Sequence, residues 1–135
     1  MPEIQVALRA DGPHEPQYTA EVGNALAECV RVLNYATRDD APGLEYAGDV
    51  YTLLGHLYTA AERLPQLLGQ LAAFLNAQAA TGTLADNQGR DPAIQADMAA
   101  DELTDCADRL SALTRQLHRA QNDIAGLHVK EDGDG

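Results

Sequence analysis

Asp91–Leu127, DPAIQADMAADELTDCADRLSALTRQLHRAQNDIAGL, is the stretch that decides the fold. Ala96, Ala99, Leu103, Cys106, Leu110, Leu113, Leu117, Ala120, Ile124 and Leu127 recur in alternating steps of three and four. That period keeps one apolar seam on a helix for more than four heptads. Asp91 followed by Pro92 is a start signal, a capping carboxylate and then a proline where no N–H is needed. Acidic residues (Asp97, Asp101, Glu102, Asp105, Asp108) fill the first half and basic ones (Arg109, Arg115, Arg119) the second, which suits the helix dipole. The pattern predicts a helix over about 92–128.

Upstream, Ala47, Val50, Leu54, Leu57, Ala61, Leu64, Leu68, Leu71 and Leu75 repeat the same alternation and predict a helix over about 44–80. Tyr46, Leu53, Ala60, Leu67 and Phe74 form a further apolar column, and Tyr51 and Tyr58 border the seam, so this helix has an unusually broad apolar face. Pro65 predicts a kink or a break into two coaxial pieces, because proline lacks an N–H and clashes with the preceding turn. Between the helices, Thr81–Arg90 is a polar, glycine-bearing loop. Two helices of similar length joined this way pack antiparallel, at about +20° for such seams. Val22, Leu26, Cys29, Leu33 and Ala36 predict a shorter helix over about 18–38.

The expectation is therefore an all-α fold, a long antiparallel hairpin plus one short N-terminal helix, making a three-helix bundle or, with a break at Pro65, a four-helix bundle. Residues 1–17 are expected to form a flexible or fold-back arm, 18–129 the bundle domain, and 130–135 a disordered acidic tail. Cys29 and Cys106 fall on apolar stripes and are expected to be buried, reduced thiols.

Composition fits. At 135 residues the chain has the size of one domain, with 45% hydrophobic residues but only 4% aromatics, so its core must come from Leu, Ala, Val and Ile. The net charge of −12 disfavours direct binding of nucleic acid or of an anionic membrane. No apolar run approaches the roughly 18–20 residues of a membrane span, and the N-terminus lacks the layout of a secretion signal, so a cytoplasmic location is expected. Eight arginines to one lysine is a bias of GC-rich, for instance actinobacterial, genomes.

Three surfaces stand out. A short first helix covers only one end of the hairpin, which leaves Leu64, Leu67, Leu71, Phe74 and Leu75, with Ile94 and Met98 opposite, as a candidate self-association surface. The arm (Ile4, Val6, Leu8), a break at Pro65 or a second chain could cover it. On the other side, Gly48, Gly55 and Gly69 share a helix face beside Asp49, His56 and Arg63, a candidate groove for a partner. Each glycine costs about 0.8–1 kcal/mol against alanine inside a helix, which asks for a reason. Asp97, Asp101, Asp105 and Asp108 form an acidic ladder, a solvated face or a mimic of nucleic-acid charge. Asp105 and Arg109 have the spacing of an ion pair.

Catalytic and metal motifs are missing. The chain holds no Glu-x-x-His, His-Glu-x-x-His or Cys-x-x-Cys, its histidines (His14, His56, His118, His128) show no ligand spacing, and Asp86-Asn87-Gln88-Gly89 lacks the ligand order of a calcium loop. Glu102-Leu-Thr-Asp105 resembles one of the two acidic motifs with which all-α nucleotide pyrophosphatases hold magnesium, and the other motif is absent. No catalytic, metal or cofactor-binding residue is therefore assigned. The leading expectation is a non-enzymatic helical interaction or regulatory module that forms a homodimer and binds a protein partner. An acidic decoy for a basic nucleic-acid-binding protein comes second, and a magnesium-dependent nucleotide hydrolase using Glu102 and Asp105 third.

Overall fold

The computed structural model describes residues 3–131. It contains three helices, α1 (Pro16–Ala36), α2 (Ala47–Ala80) and α3 (Pro92–Asp123), and no strand among the described residues. The fold is all-α, and α2 and α3 pack closely as a hairpin. The chain divides into two compact units, Met1–Glu45 and Tyr46–Gly135. The acidic tail expected over 130–135 lies, from residue 132 on, outside the described residues.

In the first unit α1 begins with Pro16 in the first helical turn, so proline sets its start two residues before the apolar period does. The arm doubles back along α1. Tyr18 holds it, donating its hydroxyl to the Ala7 carbonyl at 2.6 Å and accepting the Arg9 N–H at 2.9 Å, while the Arg9 guanidinium sits 4.7 Å from the ring centre. Ile4, Val6 and Leu8 thereby line, with Ala25, Cys29 and Val32, an open cleft of about 650 Å³ along α1. Cys29 is exposed. Gly43 closes the turn after α1 against the Ala36 carbonyl, where a Cβ would overlap the backbone.

In the second unit Tyr46 precedes α2, and its N–H is taken by the Asp49 carboxylate at 2.9 Å. α2 runs as one helix through Pro65, so of the two expected alternatives, a kink or a break, the break does not occur. Pro65 is half-buried among seam residues. The connection is built tightly. Gly82 and Gly89 take φ of +72° and +75°, the left-handed region that favours glycine. Asp86 clamps the loop, accepting the Arg90 guanidinium through both carboxylate oxygens at 3.0 Å and the backbone N–H groups of Gln88 and Arg90 at 3.1 and 3.0 Å. The Asp91 carboxylate then accepts the Ala93 N–H at 3.0 Å and α3 starts on Pro92, as the sequence predicts.

Gln121 reaches the Tyr51 carbonyl at 3.2 Å, and the His118 ring lies 4.9 Å from that of Tyr58. Residue numbers rise on one helix as they fall on the other, which is the antiparallel arrangement.

The seam itself differs from expectation. On α2, Ala61 and Ala72 are buried and Leu54, Tyr58, Pro65, Leu68, Leu75 and Ala79 half-buried, as are Val50, Leu53 and Leu64 beside them; α3 turns inward Ala96, Ala100, Leu103, Ala107, Leu110, Thr114, Leu117, Gln121 and Ile124. One expected column on each helix is kept. The other is replaced by its neighbour, so Leu57, Leu71, Cys106 and Leu113 turn outward, and Tyr58, Ala72, Ala107 and Thr114 take their places. The most buried side chains are Ala61, Ala72, Ala96, Ala100 and Thr114. Small residues let two helix backbones approach closely, and dispersion across a short interaxial distance favours that contact over one propped apart by leucines. Thr114 can take part because its hydroxyl donates to the Leu110 carbonyl at 2.7 Å.

Candidate interaction surface

Rotation of both seams leaves an apolar stripe outside. On α2 it follows the two columns on the trailing side of the seam, where Leu57, Ala60, Leu67, Leu71 and Phe74 are exposed and Leu53 and Leu64 half-buried, with Tyr46 exposed just before the helix. Leu67, Leu71 and Phe74 are 44%, 46% and 63% exposed. On α3 the displaced column is Ala99, Cys106, Leu113 and Ala120, with Leu113 47% exposed. In an antiparallel pair the two helices run in opposite senses, so columns trailing the seam on each point to the same side. The leucines of α2 and Leu113 of α3 therefore form one surface.

Of the expected self-association residues, Leu64, Leu67, Leu71 and Phe74 belong to this stripe. Leu75 belongs to the seam with α3. Ile94 and Met98, although both are more than half exposed, sit on the outer face of α3 away from the stripe and do not oppose those leucines. Their offset of two positions from the seam residues Ala96 and Ala100 turns them outward.

The opposite side carries the glycines. Gly55 has a structural reason: a Cβ there would stand 2.8 Å from the Gln121 amide nitrogen, so the missing side chain makes room for Gln121 to cross and reach the Tyr51 carbonyl. Gly48 and Gly69 have open space where a Cβ would stand. Asp49 is engaged as a helix cap, while His56 and Arg63 are exposed. The six groove residues thus divide into one packing position, one cap and four surface positions, and form no single pocket.

Asp97, Asp101, Asp105 and Asp108 are all exposed on α3. Asp105 and Arg109 are not within ion-pair distance of one another, whereas Arg31–Glu28, Arg38–Asp40 and Arg90–Asp86 are. Two solvated side chains on a helix surface gain little from closing such a pair. Cys106 is exposed, because the rotation of α3 turns its column outward. Glu102 is exposed beside Asp105, and among the described residues no three His, Cys, Asp or Glu side chains are placed to hold a metal ion. Among the same residues no helix is long and apolar enough to cross a membrane.

The Asp86–Arg90 clamp is a feature that the sequence pattern did not bring out. The Arg90 guanidinium and the backbone N–H of Arg90 hold the Asp86 carboxyl well below the usual carboxylate range, at about 2. A loop carboxylate four residues before an arginine was the available signal.

The fold and surface define a class, an all-α hairpin with an Ala-lined seam and an external leucine stripe. Comparison with protein families, curated proteins and solved structures finds no match to this chain.

Proposed function

We propose that the protein is a non-enzymatic helical interaction module that self-associates through the leucine stripe. The observation that carries this reading is that Leu57, Leu67, Leu71 and Phe74 of α2 and Leu113 of α3 stand exposed, on the same side of the hairpin. Completing the burial of each half-exposed leucine is worth roughly 1 kcal/mol, half the value of a whole side chain. A stripe of this size on a soluble surface calls for a partner surface. From Leu64 to Ala80 α2 carries no Asp, Glu, Lys, Arg or His, in a chain whose net charge is −12. Two copies repel through most of their surface but not through this one. A second copy is thus the occupant that fits.

Sedimentation equilibrium tests it, with twice the chain mass expected. Association should hold or strengthen as salt rises, since salt screens the repulsion and leaves apolar burial intact. A monomer at all salt concentrations, with Ile4, Val6 and Leu8 protected from proteolysis, would overturn the reading.

A second reading has its own observation. Asp97, Asp101, Asp105 and Asp108 stand exposed without ion-pair partners among the described residues, as an acidic decoy for a basic nucleic-acid-binding protein requires. Its mark is a heterologous complex that weakens steeply with added salt.

A further inference from the structure

We infer that the second copy docks α2 on α2, antiparallel, about a two-fold axis at residue 62. This deepens the self-association proposed above and rests on it. The stripe follows two alternating columns, Tyr46, Leu53, Ala60, Leu67 and Phe74, and Val50, Leu57, Leu64, Leu71 and Gln78, of which Val50, Leu53, Leu64 and Gln78 are half-buried and the other six exposed. An antiparallel pair of helices sets one such column against the other. The register that brings all ten positions into contact is the one centred on residue 62. It faces Val50 with the partner's Phe74, Leu53 with the partner's Leu71, Leu57 with the partner's Leu67, and Ala60 with the partner's Leu64. Sliding by one heptad leaves positions at each end without an opposite.

Size and the helix dipoles favour this orientation over a parallel one. In parallel, Phe74 meets Phe74 and Ala60 meets Ala60, so one layer is overfull and another empty, against the even density that helix interfaces keep. Antiparallel, large residues meet medium or small ones at Phe74 and Ala60. Along the edge of the stripe, Asp49 falls opposite the partner's Ala77 and His56 opposite the partner's Gln70, so neither meets a charge. A parallel pair would instead align the helix dipoles. Arg63 meets its counterpart in the antiparallel pair, with Glu62 beside it. The antiparallel contact is two-fold and uses the stripe of both copies, so association stops at two.

Spin labels on α2 test the arrangement in the full-length protein, with Cys29 and Cys106 replaced by serine. Glu62→Cys and Asn76→Cys, labelled in separate variants, place the probe on exposed positions two heptads apart on the face of α2 turned away from the stripe. At 1.5 Å per residue the two labels at position 62 stand level along the axis, and those at 76 about 42 Å apart along it. With helix axes 8–10 Å apart, the expected intermolecular distances are roughly 20 Å at 62 and about 45 Å at 76. Equal distances at both sites in a protein of dimeric mass overturn the antiparallel arrangement and leave self-association standing. Any other pair of distances overturns the register. No intermolecular distance, with a monomeric mass, overturns self-association and this inference with it.

Discussion

The two sides of the α2–α3 hairpin are built on opposite rules. On the glycine side, α3 reaches over α2: Gln121 crosses Gly55 to the Tyr51 carbonyl, and His118 meets Tyr58 at 4.9 Å between ring centres. On the leucine side nothing crosses, and Leu67, Leu71, Phe74 and Leu113 stand near half exposed or beyond. One side is finished within the chain by polar and aromatic contacts. The other is the side that we propose is finished by association. A seam lined with alanine teaches that the strongest apolar columns of a helix need not face its neighbour in the chain.

The comparison breaks most readily at the stripe. Leu67→Asp with Leu71→Asp places two charges where the second copy would bury them, and we expect association to weaken at least 100-fold, about 2.7 kcal/mol or more, with helicity retained. Sedimentation and circular dichroism read the two effects separately. A dimer that survives both charges would remove the stripe from the contact. On the other side, Gly55→Leu displaces Gln121 and should cost about 1–3 kcal/mol of stability in denaturant titrations while leaving the oligomeric state alone. Gly69→Ala tests the contrast within one column. Nothing lies within 4 Å of a Cβ there, so we expect a gain of about 0.5–1 kcal/mol, read as a raised midpoint.

The smallest effect lies in the loop that joins the helices. The Asp86 carboxyl is held at about 2 against an ordinary 3.8, so the folded loop favours its ionised form. A depressed value means that the contribution is complete above about pH 4 and is lost as pH falls toward 2. Carboxyl chemical shifts followed from pH 6 to 1.5 should place the Asp86 midpoint near 2. Arg90→Gln should move its midpoint back up toward 3.8; an unchanged midpoint would mean that the guanidinium is not the cause.

Much of the fold was legible in the sequence because its signals are local. Asp91-Pro92 placed the start of α3, and the glycine-bearing polar loop placed the end of α2 at Ala80. The heptad period was also legible, but its phase was not. Hydropathy ranks columns by how much they gain from leaving water, whereas a helix pair chooses the columns that let backbones approach. Charge does not separate them: the columns through Ala72 and Ala79 on α2 and through Ala100, Ala107, Thr114 and Gln121 on α3 hold no charged residue, and neither do the columns through Leu57 and Leu71 or through Cys106 and Leu113. Burial of both cysteines was expected for the same reason that the phase was misplaced. At Pro65 the sequence left a kink and a break both open, since proline's local cost is visible in the sequence and the packing around it is not. Of the candidate surface, the four residues of α2 from Leu64 to Phe74 were found from their spacing. Ile94 and Met98 were not placed correctly, because their position depends on that phase.

Sedimentation equilibrium of the full-length chain at micromolar concentration bears most directly on the central claim, that the leucine side is completed by a second copy. The account predicts a mass twice the 14.4 kDa of one chain, reduced to one chain by Leu67→Asp with Leu71→Asp. A wild-type mass of 14.4 kDa across the accessible concentration range would contradict it.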